Sequence, residues 1–394
     1  MGVGLGESPN WFGGRRIGGM KAEFTLRDEG FMRLALRLAR RGLGSVEPNP
    51  MVGAVVVRAG KVVGKGYHRR FGEAHAEVLA LREAGKLARG GTLYVTLEPC
   101  CHWGKQPPCT DAVVASGVRR VVVAMIDPFA KVRGKGVKLL RAAGIRVEVG
   151  LLEAEARRLN GAFLKRVSGH GPWVIAKWAQ SLDGCVATAR GESKWISSEE
   201  SRAQVQVLRG RVDGILVGIG TALNDDPLLM ARPERGGDIK RTATRIVLDS
   251  QCRLPRGSLL VRTISFAPVL VVHAKKLGRA AELRRRQLEA CGVMTVGVAA
   301  DRSGRPRIAD LLRYLGKLDY ANLLVEGGPE VMAAFLRGGY VDEAHVYIAP
   351  KVLGGAGARH AVGGEELLRL KDAVQLEIEA VEHVGRDLHV ISVR

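Results

Sequence analysis

The sequence predicts a two-domain α/β protein, and three observations lead to this fold class. The 394 residues exceed what one ordinary hydrophobic core encloses, and 46% of them are hydrophobic against 26% charged, as in globular proteins. Runs rich in β-branched residues alternate with helical patterns, which favours mainly parallel sheets covered by helices. The segment SGHGP (168–172) separates two such series and is the best candidate for a linker.

Three regions are therefore expected along the chain. Residues 1–22 contain many glycines together with proline and arginine, and we expect them to form a flexible extension. Met20 is a second candidate for the translation start. Residues 23–170 and 171–394 should each form one α/β domain. The N-terminus lacks the continuous apolar stretch of a secretory signal, and no apolar run is long enough to span a bilayer. The expected location is the cytoplasm.

The first half begins with a helix and a hairpin. An apolar stripe at helical spacing predicts an amphipathic helix over 28–41. Two β-rich runs, MVGAVVVR and KVVGKGY, are separated by Ala59-Gly60 and predict a hairpin. A charged pattern over 153–167 predicts one last helix before the linker. Between hairpin and last helix we assign helix 75–87, strand 92–98, helix 111–116, strand 118–125, helix 136–143 and strand 145–150.

The second half continues as strands joined by helical segments. In LLVEGGPEVMAAF, Gly327 and Gly328 connect a strand to a helix with Pro329 near its first position. Free N–H groups at such a helix start can bind a dinucleotide pyrophosphate, but a plain strand-to-helix turn explains the pattern equally well. The predicted strands are WVIAKWAQ, VDGILVGIG, TRIVLDS, PVLVVHA, MTVGVAA, ANLLVEGG, DEAHVYIAP, QLEIEAVEHVG and DLHVISV.

The cysteines indicate a metal site. Six cysteines are too few for a disulfide scaffold in a chain of this length, and three of them lie in EPCCHWGKQPPC (98–109). Zinc takes four tetrahedral ligands, and a catalytic zinc keeps one position open for water. His75, Cys100 and Cys109 supply the other three. Cys101 follows Cys100 directly and points to the opposite side of an extended chain, so it is not expected to bind the same ion.

Other interpretations of this cluster stay open at this stage. His102 could complete a closed structural site, and Cys101 could form a disulfide with Cys109. With an open position, zinc activates water, and Glu77 is close enough to His75 to move a proton from that water to a departing amine. This is the chemistry of hydrolytic deamination of an aminopyrimidine or aminopurine.

The motif His75-Ala76-Glu77, followed by Pro99-Cys100, resembles the zinc-dependent cytidine deaminase superfamily. Eight residues separate Cys100 from Cys109, and this wide spacing resembles one branch, the bifunctional deaminase/reductase family of riboflavin biosynthesis. The resemblance runs from about Arg27 to the C-terminus. It implies a cytidine-deaminase-like α/β/α layer domain followed by a dihydrofolate-reductase-like α/β domain, with Zn²⁺ and NADPH as cofactors.

The resemblance also implies two reactions and a substrate site for the first. The reactions are zinc-dependent deamination of 2,5-diamino-6-ribosylamino-4(3H)-pyrimidinone 5′-phosphate and NADPH-dependent reduction to 5-amino-6-ribitylaminouracil 5′-phosphate. Glu77 is the implied catalytic residue of the deaminase half. The implied substrate-binding residues are Asn49, His68, His102 and Lys105, although Asn49 also suits a turn and His68 a strand end. Three positions of this loop depart from the family pattern. The family usually has Ser in place of Cys101, His or Tyr in place of Trp103, and Thr in place of Gln106.

For the reductase half, the resemblance places Lys177 and Asp225 nearest the chemistry as catalytic residues. Arginines there suit bidentate binding of a phosphate. The family tends to have Thr where Met230 stands. The implied cofactor-binding residues are Ala179, Trp195, Thr221, Asp225, Ser250 and Gly328. The implied substrate-binding residues are Ser193, Arg209, Leu229, Arg232 and Glu326.

The net charge of +21 attracts anions but does not identify a partner. Basic residues are spread in short clusters, and no RNA-binding signature accompanies them. We expect a phosphorylated aminopyrimidine as substrate, no nucleic-acid or membrane partner, and a homo-oligomer, as the resemblance implies. Two competing hypotheses remain: an RNA-binding protein with a nucleic-acid deaminase domain, and a structural zinc domain joined to a catalytically idle α/β partner.

Overall fold

The computed structural model of the chain describes residues 24–232 and 239–394. The chain divides into two compact units, one ending at Gly169 and the other running from His170 to Arg394. The extension predicted for residues 1–22 lies outside the described residues. Within the described ranges, no helix has the length and apolar character needed to cross a membrane.

The first unit contains a five-stranded sheet with the order β2-β1-β3-β4-β5. Its elements are α1 (Leu26–Arg40), β1 (Gly53–Arg58), β2 (Lys61–Tyr67), α2 (Ala76–Ala84), a 3₁₀ turn (Gly85–Ala88), β3 (Thr92–Leu97), α3 (Cys109–Ala115), β4 (Arg120–Met125), α4 (Lys135–Ala142), β5 (Arg146–Val149), α5 (Glu153–Leu159) and α6 (Gly161–Val167). Strand β1 is antiparallel to both of its neighbours, whereas β3, β4 and β5 are parallel. The carboxyl ends of β3 and β4 therefore meet at one edge, where open α/β sheets bind their ligands.

The first helix begins two residues earlier than predicted because Thr25 caps it. Thr25 Oγ1 accepts a hydrogen bond from the Asp28 amide at 3.1 Å, and the Asp28 carboxylate accepts one from the Thr25 amide at 2.9 Å, which is a capping box. The same carboxylate is buried and accepts hydrogen bonds from the Tyr94 hydroxyl and from Arg120, both at 2.6 Å. This network joins α1 to β3 and β4.

The prediction of a single helix over 153–167 was wrong. The stretch forms α5 and α6, which are separated at the buried residue Asn160. The Asn160 amide accepts a hydrogen bond from the Met51 N–H at 2.8 Å and donates one to the Met51 carbonyl at 3.0 Å. Asn160 itself departs from helical geometry, with φ −103° and ψ 22°, and its side-chain amide also donates to the Ala156 carbonyl at 3.3 Å.

The second unit contains a nine-stranded sheet with the order β11-β10-β9-β8-β12-β6-β13-β16-β15. Its elements are β6 (Trp173–Ser181), β7 (Cys185–Ala187), α7 (Glu199–Arg209), β8 (Gly214–Gly218), α8 (Ile219–Asp225), β9 (Thr244–Leu248), α9 (Leu259–Arg262), β10 (Val269–Ala274), α10 (Arg279–Ala290), β11 (Met294–Val298), α11 (Ile308–Lys317), β12 (Asn322–Gly327), α12 (Pro329–Arg337), β13 (Glu343–Ala349), β14 (Arg359–His360), a 3₁₀ turn (Leu370–Asp372), β15 (Glu377–Val384) and β16 (Asp387–Val393). The strands are parallel from β11 to β13, and β16 and β15 are antiparallel.

The two-domain α/β fold class is confirmed by these sheets. Pro329 occupies the first turn of α12, as predicted. The strand predicted in VDGILVGIG ends at Gly218, and α8 begins directly after it at Ile219. The short pair β7 and β14 was not predicted, since two or three residues carry no periodicity.

Candidate active sites

Three elements of the first unit bring the predicted metal ligands together. His75 is the N-cap residue of α2, Cys100 follows β3 by three residues, and Cys109 is the first residue of α3. His75 Nδ1 lies 3.2 Å from Cys109 Sγ and 3.5 Å from Cys100 Sγ. Within the described part of the chain, these three residues form the one group of histidine, cysteine or acidic side chains suited to a metal ion.

The donor set fits zinc. A tetrahedral zinc ion has bonds of about 2.0 Å to nitrogen and 2.3 Å to sulfur, which holds its ligand atoms roughly 3.5 Å apart. The three donor atoms lie within 4.8 Å of one another. His102 is not part of this group, so the structure does not support a closed four-ligand site. Cys101 and Cys109 are free thiols, so the alternative of a disulfide is not supported either.

The two cysteines place negative charge where a cation would bind. The Cys109 amide donates to Cys100 Sγ at 3.3 Å. A hydrogen bond from the Cys109 thiol, opposed by burial and supported by His75, lowers the pKa of Cys100 to about 4. Its hydrogen bond to Cys100, together with burial, raises the pKa of Cys109. The pair therefore shares one proton, which a bound metal ion would replace.

Glu77 has the properties of a proton carrier. It stands in the first turn of α2 and is buried. Burial and the negative charge of Cys100 raise the pKa of Glu77 to about 7. One of its oxygens, Oε2, is buried without a hydrogen-bond partner among the described residues. A carboxyl group of this kind can both take up and release a proton near neutral pH.

The predicted catalytic and substrate-binding side chains of the first unit line a cavity of about 290 Å³. It is lined by His75, Glu77 and Cys100, and by all four residues predicted to bind substrate in this half: Asn49, His68, His102 and Lys105. Asn49 Nδ2 lies 3.4 Å from His68 Nε2, and the Lys105 ammonium lies 3.9 Å from the centroid of the Phe71 ring. The four predicted substrate-binding residues thus present an amide, two imidazoles and a cation to a ligand.

Glu98 is a positioning residue that the sequence analysis missed. Its buried carboxylate accepts hydrogen bonds from the amides of Asp127, Gly134 and Val137 at 2.9 to 3.2 Å. These bonds fix the start of the loop that carries Cys100. The signal was available, because an acidic residue directly after a buried strand and before Pro-Cys stands at the ligand-binding edge of the sheet.

Further cavity residues were also missed. Asp127 and Phe129 follow β4, and Phe163 and Arg166 belong to α6. Burial raises the pKa of Asp127 to about 6. Asp127 could have been found from its place after a parallel strand next to β3. The α6 residues gave no such signal, because only the packing of the helix brings them to the cavity.

The loop positions that differ from the family pattern have different surroundings. The Gln106 amide donates to the Gly72 carbonyl at 2.9 Å and so closes the loop over the cavity. The Trp103 side chain is 76% exposed. Cys101 Sγ makes only a long contact, 4.0 Å, with the Lys131 carbonyl. Gln106 is therefore the departure most directly tied to the site.

In the second unit, Lys177, Arg209 and Glu326 form one half-buried cluster. Arg209 binds the Glu326 carboxylate through two hydrogen bonds, both 2.6 Å long. Burial alone would raise the pKa of Glu326, but Arg209 and Lys177 lower it to about 2. Burial also lowers the pKa of Lys177, and the negative charge of Glu326 partly offsets this lowering. Arg209, predicted to clamp a phosphate, already has a carboxylate partner inside the protein.

Two predicted cofactor residues are neighbours. Gly328 precedes α12 with a φ of 86°, and a Cβ atom there would lie 2.8 Å from Thr221 Oγ1. The position therefore requires glycine. Ala179 lies on β6 two residues beyond Lys177. Trp195 is 61% exposed, and its ring centroid lies 4.6 Å from the Arg202 guanidinium carbon.

The remaining predicted residues are spread over loops and strand ends. Among the described residues, no hydrogen bond joins Ser193, Asp225 or Ser250 to the Lys177 cluster. Leu229 is buried with a φ of 46°. Arg232 is exposed, and its amide donates to the Gln206 side chain at 3.1 Å.

The fold and the two sites define a zinc-dependent deaminase joined to a reductase. Residues 26–125 match the family model of the cytidine and deoxycytidylate deaminase zinc-binding region, and residues 172–390 match that of the RibD C-terminal domain. The chain belongs to the RibD family of riboflavin biosynthesis proteins. It is therefore a bifunctional deaminase and reductase of riboflavin biosynthesis, with zinc and NADPH as cofactors.

Relatives match the chain over nearly its whole length. It is 41% identical to riboflavin biosynthesis protein RibD of Aquifex aeolicus over 361 residues, which covers 92% of this chain and 97% of that protein. It is also 41% identical to RibD of Escherichia coli K12 over 380 residues, covering 93% and 100%. A solved structure of Acinetobacter baumannii RibD superposes with a TM-score of 0.79 at 35% identity, covering 93% of this chain and 98% of that one.

A solved structure from Thermotoga maritima gives the same picture. It superposes with a TM-score of 0.77 at 34% identity and covers 93% of this chain and 98% of that chain. That protein is a diaminohydroxyphosphoribosylaminopyrimidine deaminase/5-amino-6-(5-phosphoribosylamino)uracil reductase. The predictions of family, enzyme class and cofactors are confirmed, and the hypothesis of an idle second domain is wrong.

Proposed function

We propose that residues 23–170 deaminate 2,5-diamino-6-ribosylamino-4(3H)-pyrimidinone 5′-phosphate. Residues 171–394 then use NADPH to reduce the ribosyl side chain, which gives 5-amino-6-ribitylaminouracil 5′-phosphate. The Thermotoga maritima relative, which covers almost the whole chain, supports both substrates. The observation that carries the proposal is the convergence of the donor atoms of His75, Cys100 and Cys109 beside a cavity that His75, Cys100 and Glu77 line.

In the deaminase half, His75, Cys100 and Cys109 would hold the zinc ion. When bound, zinc supplies the Lewis acidity that activates water for attack on the ring carbon bearing the amino group. Glu77 takes a proton from the attacking water at its carboxylate and delivers a proton to the departing nitrogen, which leaves as ammonia. The raised pKa of Glu77, about 7, suits both transfers.

The cavity residues orient the substrate. The Asn49 amide can pair with the pyrimidinone edge, since it offers both a donor and an acceptor. His102 and Lys105 supply donors for the phosphate, and Lys105 is held over the Phe71 ring. His68 is buried beside Asn49 and restricts that amide. In this orientation the amino-bearing carbon would face Glu77.

In the reductase half, the Lys177 cluster receives the ring-opened sugar. When bound, NADPH would supply the hydride for C1′ of that sugar. Lys177 holds a proton at Nζ, where desolvation lowers its pKa, so it can give that proton to the imine nitrogen of the ring-opened sugar as C1′ accepts the hydride. Thr221 and Gly328 flank the start of α12, which suits the cofactor pyrophosphate. Asp225, at the end of α8, serves as the second catalytic candidate.

The proposal also includes the cellular location and the oligomeric state. The six cysteines are free thiols, which supports a reducing compartment such as the cytoplasm. Strand β15 forms one edge of the large sheet and exposes Ile378 and Val381. An exposed apolar edge strand supports pairing with a second copy, so a homo-oligomer is proposed.

The variant Glu77→Gln tests the assignment. It should lose ammonia release by at least about a hundredfold, because general acid/base catalysis is worth roughly two to four orders of magnitude. NADPH oxidation with the deaminated intermediate should be unchanged. Glu83→Gln, an exposed position on the same helix, is the matched control and should keep both activities. Ammonia release by Glu77→Gln at the wild-type rate would refute the role of Glu77.

A further inference from the structure

A row of polar and aromatic side chains crosses the large sheet beside Lys177. Strand β13 carries Glu343, His345 and Tyr347 at alternate positions, so all three face the same side of the sheet. The register places His345 beside Lys177 of β6, and it places Tyr347 beside His389 of β16. The sequence analysis assigned no role to any member of this row except Lys177.

Hydrogen bonds fix the planes of the two imidazoles. Trp173 Nε1 donates to Glu343 at 2.9 Å, and the same carboxylate lies 2.6 Å from His345 Nε2. Burial alone would raise the pKa of Glu343, but its hydrogen bond with His345 lowers it to about 2, so the carboxylate accepts and His345 donates. His345 Nδ1 lies 2.9 Å from His389 Nε2. Either ring can be the donor in this second bond, and both planes are fixed in either case.

The orientation of His389 is passed on to Tyr347. The two rings are stacked, with centroids 4.3 Å apart and an interplanar angle of 1°. His389 is 4% exposed and Tyr347 is 2% exposed, so neither ring can turn without displacing its neighbours. The Lys177 ammonium lies 6.0 Å from the centroid of the Tyr347 ring, at the outer limit of a cation–π contact. Tyr347 thus forms one wall around Lys177, and Glu326 lies near its ammonium group.

The charged groups around this row come from several elements. Arg211 follows α7 and acts on Glu343, Tyr347 and His389. Glu382 on β15 approaches His389 Nδ1 at 3.9 Å. Burial, with the charges of His345 and Arg211, lowers the pKa of His389 to about 4. His389 is therefore neutral at the pH of most cells, and its ring acts by packing rather than by charge.

We propose that Tyr347 is a positioning residue of the reductase site and that Glu343, His345 and His389 hold its ring against Lys177. The inference rests on the proposed role of Lys177 in reduction. Without the ring, the Lys177 side chain gains conformational freedom beside the reacting atoms. A displacement of about 1 Å in an active site can cost on the order of a hundredfold in rate.

The test uses the full-length, zinc-loaded chain with the deaminated phosphoribosylaminouracil as substrate. Tyr347→Leu and His389→Leu should lower kcat for NADPH oxidation roughly tenfold or more, with a smaller change in KM for NADPH. Tyr347→Phe keeps the ring and should restore most of the rate lost in Tyr347→Leu. His383→Leu, an exposed histidine on β15, is the control and should behave as wild type. Retained NADPH binding shows that a slow variant is folded.

Two combinations separate this inference from the proposed function. If His389 acts through Tyr347, the double variant Tyr347→Leu/His389→Leu should be no slower than the slower of the two single variants. Fully additive losses, or a wild-type kcat for folded His389→Leu, would overturn the inference. Lys177→Met with wild-type reduction would refute the proposed function at that residue. A loss from Tyr347→Leu that persists in the Lys177→Met background would show that the ring acts elsewhere, and it would overturn the inference alone.

Discussion

Asp28 shows how one buried carboxylate can serve two structural roles. It closes the capping box of α1 and also accepts hydrogen bonds from Tyr94 and Arg120. Burial alone would raise the pKa of Asp28, but these partners hold it well below its usual range. The charged form is therefore the stabilising one. Its loss should affect the deaminase half more than the loss of any exposed ion pair.

We expect Asp28→Asn to lower the free energy of unfolding of the deaminase half by about 3 kcal/mol, because it breaks a buried ion pair. Glu29→Gln removes an exposed pair with Arg33 on the same helix and should cost less than about 0.5 kcal/mol. Urea unfolding followed by circular dichroism measures both. Equal effects of the two substitutions would contradict the role given to the buried network.

The same network determines how the stability of the deaminase half changes at acid pH. The pKa of Asp28 is lower in the folded than in the unfolded chain, so the unfolded chain binds the proton first as pH falls. The stabilisation is complete above the unfolded pKa of about 3.9 and is lost progressively below it. In Asp28→Asn this part of the acid sensitivity should disappear.

Residues are easiest to predict where the chemistry is encoded locally. His75-Ala76-Glu77 and Pro99-Cys100 each keep their groups within three positions, and the predicted metal ligands are brought together in the structure. The pairing of Arg209 with Glu326 spans 117 positions and arises from the order in which strands assemble. No local pattern encodes that order, so Arg209 was predicted without its partner.

At the scale of elements, helix α4 is packed against the loop that carries the metal ligands. Gly136 lies in its first turn, where a Cβ atom would stand 2.2 Å from the Pro99 carbonyl oxygen. The contact is with backbone, which cannot move aside as a flexible side chain could. The helix can approach the loop this closely only because residue 136 is glycine.

Gly136→Ala should therefore displace Pro99 and the adjacent Cys100. We expect zinc affinity to fall roughly tenfold to a hundredfold, as for loss of a group that supports a metal ligand. Competition with a chromogenic chelator measures it. Gly30→Ala, in α1 with no atom within 4 Å of the added Cβ, should bind zinc as wild type. Unchanged zinc affinity in folded Gly136→Ala would show that the loop adapts.

The elements themselves were predictable to different degrees. Long periodic runs such as β12 and α12 follow the sequence closely, because their apolar faces are set by local spacing. The break between α5 and α6 was not predicted, and the side chain at the break, Asn160, finds its partner Met51 at a distance of 109 positions in the sequence. Helix α3 begins at Cys109, two residues before the predicted start.

At the scale of the whole molecule, each unit has its own core and its own chemistry. The hydrophobic cluster around Met32, Val55 and Leu93 belongs to the first unit, and the cluster around Leu216, Leu323 and Phe335 lies in the second. All the zinc donors belong to the first unit, and the Lys177 cluster belongs to the second. The two reactions should therefore respond independently to removal of a cofactor.

Zinc removal tests this independence. Dialysis against a chelator should abolish ammonia release, because His75, Cys100 and Cys109 then lack the ion that activates water. NADPH oxidation should persist with the deaminated intermediate but stop with the diaminopyrimidine, because the intermediate is no longer produced. Added zinc should restore ammonia release and NADPH oxidation from the diaminopyrimidine. The variant Cys109→Ser should not regain deamination when zinc is added. Loss of reduction with the supplied intermediate would mean that the second unit depends on the metal of the first, contrary to the separate cores and donor sets.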